Sequence, residues 1–274
     1  MVPSINIPAD EGGTSRWNAL GELSGMENEL NREQELRALC DRLFGFASRQ
    51  AAYATQVLLD AAERRVTVAL RGDCDLIPIA YSLHRRLLGP EKIFCVADPR
   101  RVHNDGNVKN SRSRSTALAA LEAAGNGSVC LHSLRLPDDF KAFAEQAQAG
   151  RQAGMVFMCL YDRHPVRDLL CRPLDIPPLG KRGPELDRVL AEYLADAASA
   201  LGVPDRPLSP KASREVVANV VSIPEMEETA LRIVALLSEP RLPDAATRLG
   251  MATVSLSRWV DRRSWILSIL DDPY

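Results

Sequence analysis

The stretch VTVALRGDCDLIPIAYSLHRRLL, residues 66–88, decides the fold. VTVALRG is short, rich in β-branched and apolar residues and ends in glycine, which is how a strand buried on both faces reads. A polar turn, GDCD, follows, and a helix is expected from about Leu76 to Leu88. The alternation then repeats. KIFCVAD (92–98), SVCLHSL (128–134) and MVFMCLY (155–161) read as further strands, with helices expected at 116–124, 140–153 and 184–201. PLDIPPL (173–179) reads as a short edge strand, because its prolines have no N–H to give to a sheet interior. Strands alternating with helices make a parallel sheet covered on both faces, so the expected class is α/β.

On the N-terminal side, apolar residues from Glu33 to Glu63 recur at helical spacing and indicate two helices with a break near Ser48. Residues 1–32 hold five acidic residues and two arginines among Pro, Gly, Ser and Asn, without sustained periodicity. A mobile tail is expected there, with Trp17 the one residue suited to docking on a surface. On the C-terminal side, PDRPLSP (204–210) has the composition of a linker, and only helices are expected beyond it. The expected organisation is therefore a tail (1–32), an α/β domain (33–203) and a small all-helical C-terminal domain (204–274).

Within that last region, ETALRIVALLSEPRLPDAATRLGMATVSLSRWVDRR (228–263) reads as three short helices. Leu231, Val234, Ala235 and Leu237 mark the first; Pro240 and Pro243 break the pattern; Asp244 can cap a second helix carrying Ala245, Ala246 and Leu249. Gly250 supplies the left-handed residue of a tight turn, Met251 tucks back, and a third helix begins near Thr253. Leu256, Trp259 and Val260 face inward, leaving Thr253, Ser255, Ser257, Arg258, Asp261 and Arg262 on the other side. This is the pattern of a helix-turn-helix in which the third helix reads base edges. AATRLGMATVSLSRWV also resembles the DNA-binding end of the Fis-type bacterial regulators over about twenty residues. Ala252 and Val254 depart from that pattern, which often has polar or basic residues there.

A net charge of −2 excludes bulk nucleic-acid affinity and leaves DNA contact to local patches. Two exist. Arg241 to Arg263 holds five arginines against two aspartates, and Arg100 to Thr116 holds five Lys or Arg against Asp105. The six cysteines form no CxxC pair and no metal-ligand spacing with the four histidines, so no zinc site is expected, and thiols inside apolar runs fit a reducing cytoplasm. No apolar run approaches the length of a membrane span, and the N-terminus lacks the order of a signal peptide.

A strand ending in glycine before a turn and a helix is where a phosphate-binding loop sits. The pattern GxxxxGK[ST] provides close-approaching amides, a lysine for charge and a hydroxyl for magnesium, and none of these follows Gly72. Asp73 and Asp75 instead put carboxylates where phosphates would go, and Pro78 stands in the first helical turn. At the end of the third strand, where acids would hold magnesium and position water, stand His132 and Ser133. As neighbours on one strand they would point to opposite faces, and no G-x-S-x-G elbow accompanies them.

The order of these segments, with RHPVRDLLCRPLDIPPLGKRGPELDRVLAEYL (163–194) as its most specific part, resembles the bacterial enhancer-binding activators, AAA+ ATPases that remodel RNA polymerase carrying sigma-54. The resemblance covers about residues 45–263 and implies an AAA+-like core with a DNA-binding end. It also implies what is missing. The Walker lysine falls near Leu76, the Walker B acids at His132 and Ser133, and the polymerase-contacting GAFTGA loop has no counterpart in 103–115. Of the paired arginines that reach a neighbour's nucleotide, Arg172 is matched and Val166 stands at the other place; the GNVREL sensor stretch is absent, with SIPEMEE (222–228) nearby.

The resulting expectation is a cytoplasmic bacterial transcription regulator, a pseudo-ATPase that needs no cofactor. It binds double-stranded DNA through Thr253, Ser255, Ser257, Arg258, Arg262 and Arg263 as a homodimer, with RNA polymerase as a further partner and no membrane association. An ATPase with an unconventional nucleotide site and an adaptor that binds protein rather than DNA stand as the alternatives.

Overall fold

The computed structural model describes residues 31–100, 111–149, 154–161 and 172–271. Residues 1–30 of the expected tail, with Trp17, the middle of the basic segment, residues 150–153, where a helix is expected to continue, and Val166 lie outside them, while residues 31 and 32, expected in the tail, are already helical.

Among the described residues six strands form one parallel sheet: β1 Thr67–Gly72, β2 Phe94–Ala97, β3 Arg112–Arg114, β4 Ser128–His132, β5 Met155–Tyr161 and β6 Leu174–Asp175. Their order across the sheet is β3-β2-β4-β5-β1-β6. Helices α1 (31–44), α2 Arg49–Arg64, α3 Ile77–Leu88, α4 Ala117–Ala124, α5 Phe140–Gln148 and α6 Leu186–Leu201 surround it. The strands read as unbroken apolar runs because alternate side chains serve two different cores. Val68, Leu70, Phe94, Val96, Cys130, Met155, Phe157 and Cys159 point into one, while Ala69, Cys95, Ala97, Val129, Leu131, Val156, Met158 and Leu160 point into the other against Ala117, Ala120 and Phe143. The expected α/β class, a parallel sheet flanked by helices and followed by helices alone, is the one observed among the described residues.

The break near Ser48 has a local cause. Gly45 and Ala47 take positive φ, and the Ser48 hydroxyl then caps α2 by accepting from the Ala51 amide at 2.9 Å. Two expectations need correction. The basic segment after β2, where no strand is expected, adds one, because Arg112–Arg114 pairs with β2 as a parallel edge strand. A three-residue strand with arginines at both ends carries too little apolar pattern to show. The third expected strand stops at His132, since Ser133–Arg135 turns as a short 3-10 helix.

Beyond residue 203 the chain is helical: α7 Pro210–Asn219, α8 Ile223–Ser238, α9 Leu242–Arg248, α10 Thr253–Asp261 and α11 Trp265–Asp271. Ile223, Met226, Ala230, Ile233, Leu256, Trp259 and Ile266 belong to the same buried cluster as Leu190 and Leu194 of α6. Burial of that kind stabilises by about 25 cal/mol per Å² of apolar surface, and it joins the C-terminal helices to the helical layer on one sheet face.

Candidate nucleic-acid interface and the phosphate-loop position

The turn between α9 and α10 follows from one glycine. Gly250 has φ +66°, its N–H donates to the Thr247 carbonyl at 2.9 Å, and the Met251 N–H donates to the Ala246 carbonyl at 3.0 Å. These paired bonds are a Schellman motif, which satisfies the last carbonyls of α9 and sends the chain off in a new direction. α10 then begins at Thr253, as expected from the sequence. Asp244 does not cap α9 as expected. Arg241 is the N-cap residue, and Asp244 lies in the first turn, where its carboxylate accepts from Arg241 at 2.8 Å.

α10 buries Leu256 and Trp259 and exposes Thr253, Val254, Ser255, Arg258, Asp261 and Arg262, with Ser257 half-buried and its hydroxyl 3.4 Å from Asp261. The five arginines of the patch divide into two groups. Arg241 is paired with Asp244, Arg248 donates to Glu239 at 2.6 Å and to the Leu201 carbonyl at 2.9 Å, and Arg263 donates to Glu225 at 2.9 Å. Arg258 and Arg262 are exposed and have no acidic partner among the described residues. Arg263, grouped from the sequence with the phosphate contacts, is half-buried and stacked on the Trp259 ring at 5.0 Å, with Arg232 on the same ring at 4.8 Å. Glu228 pairs with Arg232 and Glu225 with Arg263, offsetting two guanidinium groups crowded around one indole. Burial and the neighbouring Arg263 push the Arg232 guanidinium below its ordinary pKa.

α8 starts earlier than the apolar spacing from Glu228 onward indicates. It begins at Ile223, with Ser222 as N-cap accepting from the Glu225 amide at 3.2 Å and Pro224 in the first turn. The signal is S-x-x-E at 222–225, the signature of a capping box, with Pro224 inside it at a position where a first helical turn tolerates proline.

At the phosphate-loop position, β1 ends at Gly72 and α3 begins at Ile77, so only residues 73–76 connect them. Asp75 Oδ1 accepts from the Ile77 amide at 3.1 Å, so a carboxylate of the protein itself satisfies a donor that a phosphate loop would aim at its ligand. Leu76, which the sequence resemblance sets at the lysine position of a phosphate loop, is 1 % exposed and packs in the core. His132 Nδ1 accepts from the Leu134 amide at 3.2 Å, and its ring stacks on Tyr161 at 6.1 Å. Burial, helped by nearby Arg135, lowers its pKa. The Ser133 hydroxyl accepts from the Tyr161 amide at 3.1 Å. Both side chains thus tie β4 to the end of β5. They act on separate backbone groups, although Ser133 lies on a turn and not, as expected, on the strand. Arg172 is exposed. Among the described residues no group of three or more His, Cys, Asp or Glu could hold a metal ion, and no helix is long and apolar enough to cross a membrane.

No protein-family model matches the chain, and no curated protein matches it. Among solved structures, NtrX from Brucella abortus in complex with ADP is similar at 12 % identity, over 93 % of this chain and 76 % of that one, with a TM-score of 0.45. NtrX from the same organism in complex with ATP is similar at 12 % identity, over 79 % of this chain and 68 % of that one, with a TM-score of 0.43. Likeness of that degree bears on neither the site nor the activity.

Proposed function

We propose that this protein is a DNA-binding transcription regulator whose AAA+-like core is a catalytically silent scaffold. The observation that carries the reading is the division of the arginines around α10. Arg241, Arg248 and Arg263 are held by acids, whereas Arg258 and Arg262 stand exposed beside Thr253 and Ser255 with no acid engaging them among the described residues. Such a face suits phosphates and base edges of a major groove, while Trp259 and Leu256 anchor the helix behind it. In this reading Thr253, Ser255 and Ser257 approach the bases, Arg258 and Arg262 hold phosphates, and Arg263 reaches the backbone only by leaving Glu225.

Silence of the core is supported by the short turn at 73–76, the buried Leu76 and the Asp75 carboxylate at the head of α3. A single short reader helix rarely gives enough affinity, so a homodimer spanning two half-sites about one helical turn apart is the working assembly. Regulation then proceeds in the cytoplasm by occupancy or by contact with RNA polymerase, not by sigma-54 remodelling. The 33–203 region serves as scaffold and 204–274 as the DNA-binding unit. The test is a genome-wide footprint of the wild-type protein against Arg258→Ala/Arg262→Ala. Discrete sites lost in the variant support the reading, and identical footprints overturn it.

A further inference from the structure

We infer that Val254 reads a thymine methyl group, so that the sites this protein prefers carry a T·A pair beneath the first turn of α10. The inference rests on the DNA-binding reading of this helix and adds the chemistry of one base position.

At 3.6 residues per turn, the buried side of α10 runs through Leu256 and Trp259, and the point opposite that stripe is Val254. The residue is 59 % exposed. Arg258 lies one turn further along the same stripe and Asp261 nearly two. A single exposed valine needs no explanation in general. This one occupies the centre of a face otherwise built of Thr253, Ser255, Ser257, Arg258, Asp261 and Arg262, in a helix that a β-branched residue weakens slightly. A local cost in the middle of a polar reading surface is where a functional demand is expected.

The chemistry of the groove selects the partner. In the major groove each base pair offers hydrogen-bonding groups, and the C5-methyl of thymine is the apolar feature that distinguishes T·A. Valine in a helix is held in essentially one χ1 rotamer, so its two methyl groups are already fixed and lose little freedom on docking. Reader helices enter by their N-terminal residues, and Ala252, the N-cap, is small and exposed, leaving nothing bulky beside Val254 at that end. Asp261 sits toward the other end, where its carboxylate is repelled by phosphate. The charge pattern therefore tilts α10 so that its first turn lies deepest, with Arg258 beside it to take a guanine edge or a phosphate.

The test uses the full chain and a pool of random-sequence DNA duplexes. Selection yields a preferred duplex, which is resynthesised with each thymine singly replaced by deoxyuridine, a change that removes the methyl group and keeps every hydrogen bond. For the wild type, one such replacement per half-site should weaken binding about fourfold, the effect of one buried methyl-sized group. Val254→Ala should bind the thymine and deoxyuridine duplexes alike, while Val221→Ala, which removes an exposed valine outside α10, keeps the discrimination. Wild-type binding indifferent to deoxyuridine at every position overturns the inference, as does discrimination that survives in Val254→Ala. Failure to enrich any duplex would instead bring down the DNA-binding reading itself.

Discussion

Glu225 holds Arg263 with one oxygen and the chain just before α8 with the other: Oε1 accepts from the Arg263 guanidinium at 2.9 Å, and Oε2 accepts from the Val221 amide at 3.0 Å. One carboxylate thereby ties the chain just beyond α10 to the N-terminus of α8. Both partners are partly shielded from water, so the bond is stronger than an open surface pair. Glu225→Ala is expected to destabilise the protein by about 1–2 kcal/mol, by loss of two hydrogen bonds to a charged carboxylate. Arg258→Ala and Arg262→Ala should each stay within about 0.5 kcal/mol of wild type, as surface substitutions do. Urea unfolding of the three variants makes the comparison; equal losses in all three would contradict the division of the arginines.

Trp259 is 7 % exposed and lies beneath the guanidinium groups of Arg232 and Arg263. Trp259→Ala should cost about 3–5 kcal/mol, because a large cavity opens under α10. Trp259→Phe keeps an aromatic face for both cations and should cost less. Thermal unfolding followed by circular dichroism ranks them, and a Trp259→Ala melt equal to wild type would show that α10 is not anchored this way.

The phosphate-loop position yields a negative expectation with a structural control. Calorimetric titration with magnesium and ATP should give no saturable heat at micromolar protein. Asp75→Ala should remain without it while losing about 1 kcal/mol of stability, since the Ile77 amide loses its acceptor. Saturable, magnesium-dependent binding by the wild type would refute the silent core.

Acid should weaken the fold through its buried histidine. His84 is buried; its Nε2 lies 3.0 Å from the Lys92 carbonyl, which can only accept, so Nε2 carries the proton and Nδ1 accepts from the Ser128 hydroxyl at 2.7 Å. Burial lowers its pKa below the ordinary value of 6.5, and His132 shifts in the same direction. A histidine depressed in the folded state contributes stability that is fully present above the unfolded pKa and is lost as pH falls from there toward the folded one. The melting temperature should therefore drop between pH 7 and pH 5, with a shallower drop in His84→Gln/His132→Gln. A double variant as acid-sensitive as wild type would assign the slope to other groups.

The layers of the fold were legible because hydrophobic period is the strongest signal a sequence carries. VTVALRG and MVFMCLY are continuous apolar runs, and they became β1 and β5, neighbours with both faces buried. Arg112–Arg114 was not legible, since an edge strand of three residues is held by backbone pairing to β2 and needs no apolar side. In the candidate interface, Gly250 announced the turn and Leu256 and Trp259 the inner face. What spacing could not tell is which arginines are already engaged. Arg263 and Arg262 are adjacent in sequence, yet one meets Glu225 from a helix almost 40 residues earlier and the other faces water. That difference is set by tertiary packing, and it separates a positioning group from a contact group. Val254 was read from the sequence as a departure from the reader pattern; its place at the centre of the exposed face became visible only with the orientation of α10.

The most direct measurement of the central claim is fluorescence anisotropy of a labelled random-sequence duplex titrated with the full chain at several salt concentrations. The account expects binding whose logarithm falls linearly with the logarithm of salt. In Arg258→Ala/Arg262→Ala the slope should be smaller by about two per protomer, with the melting temperature unchanged. No binding at low salt, or a slope that the double substitution leaves untouched, would contradict it.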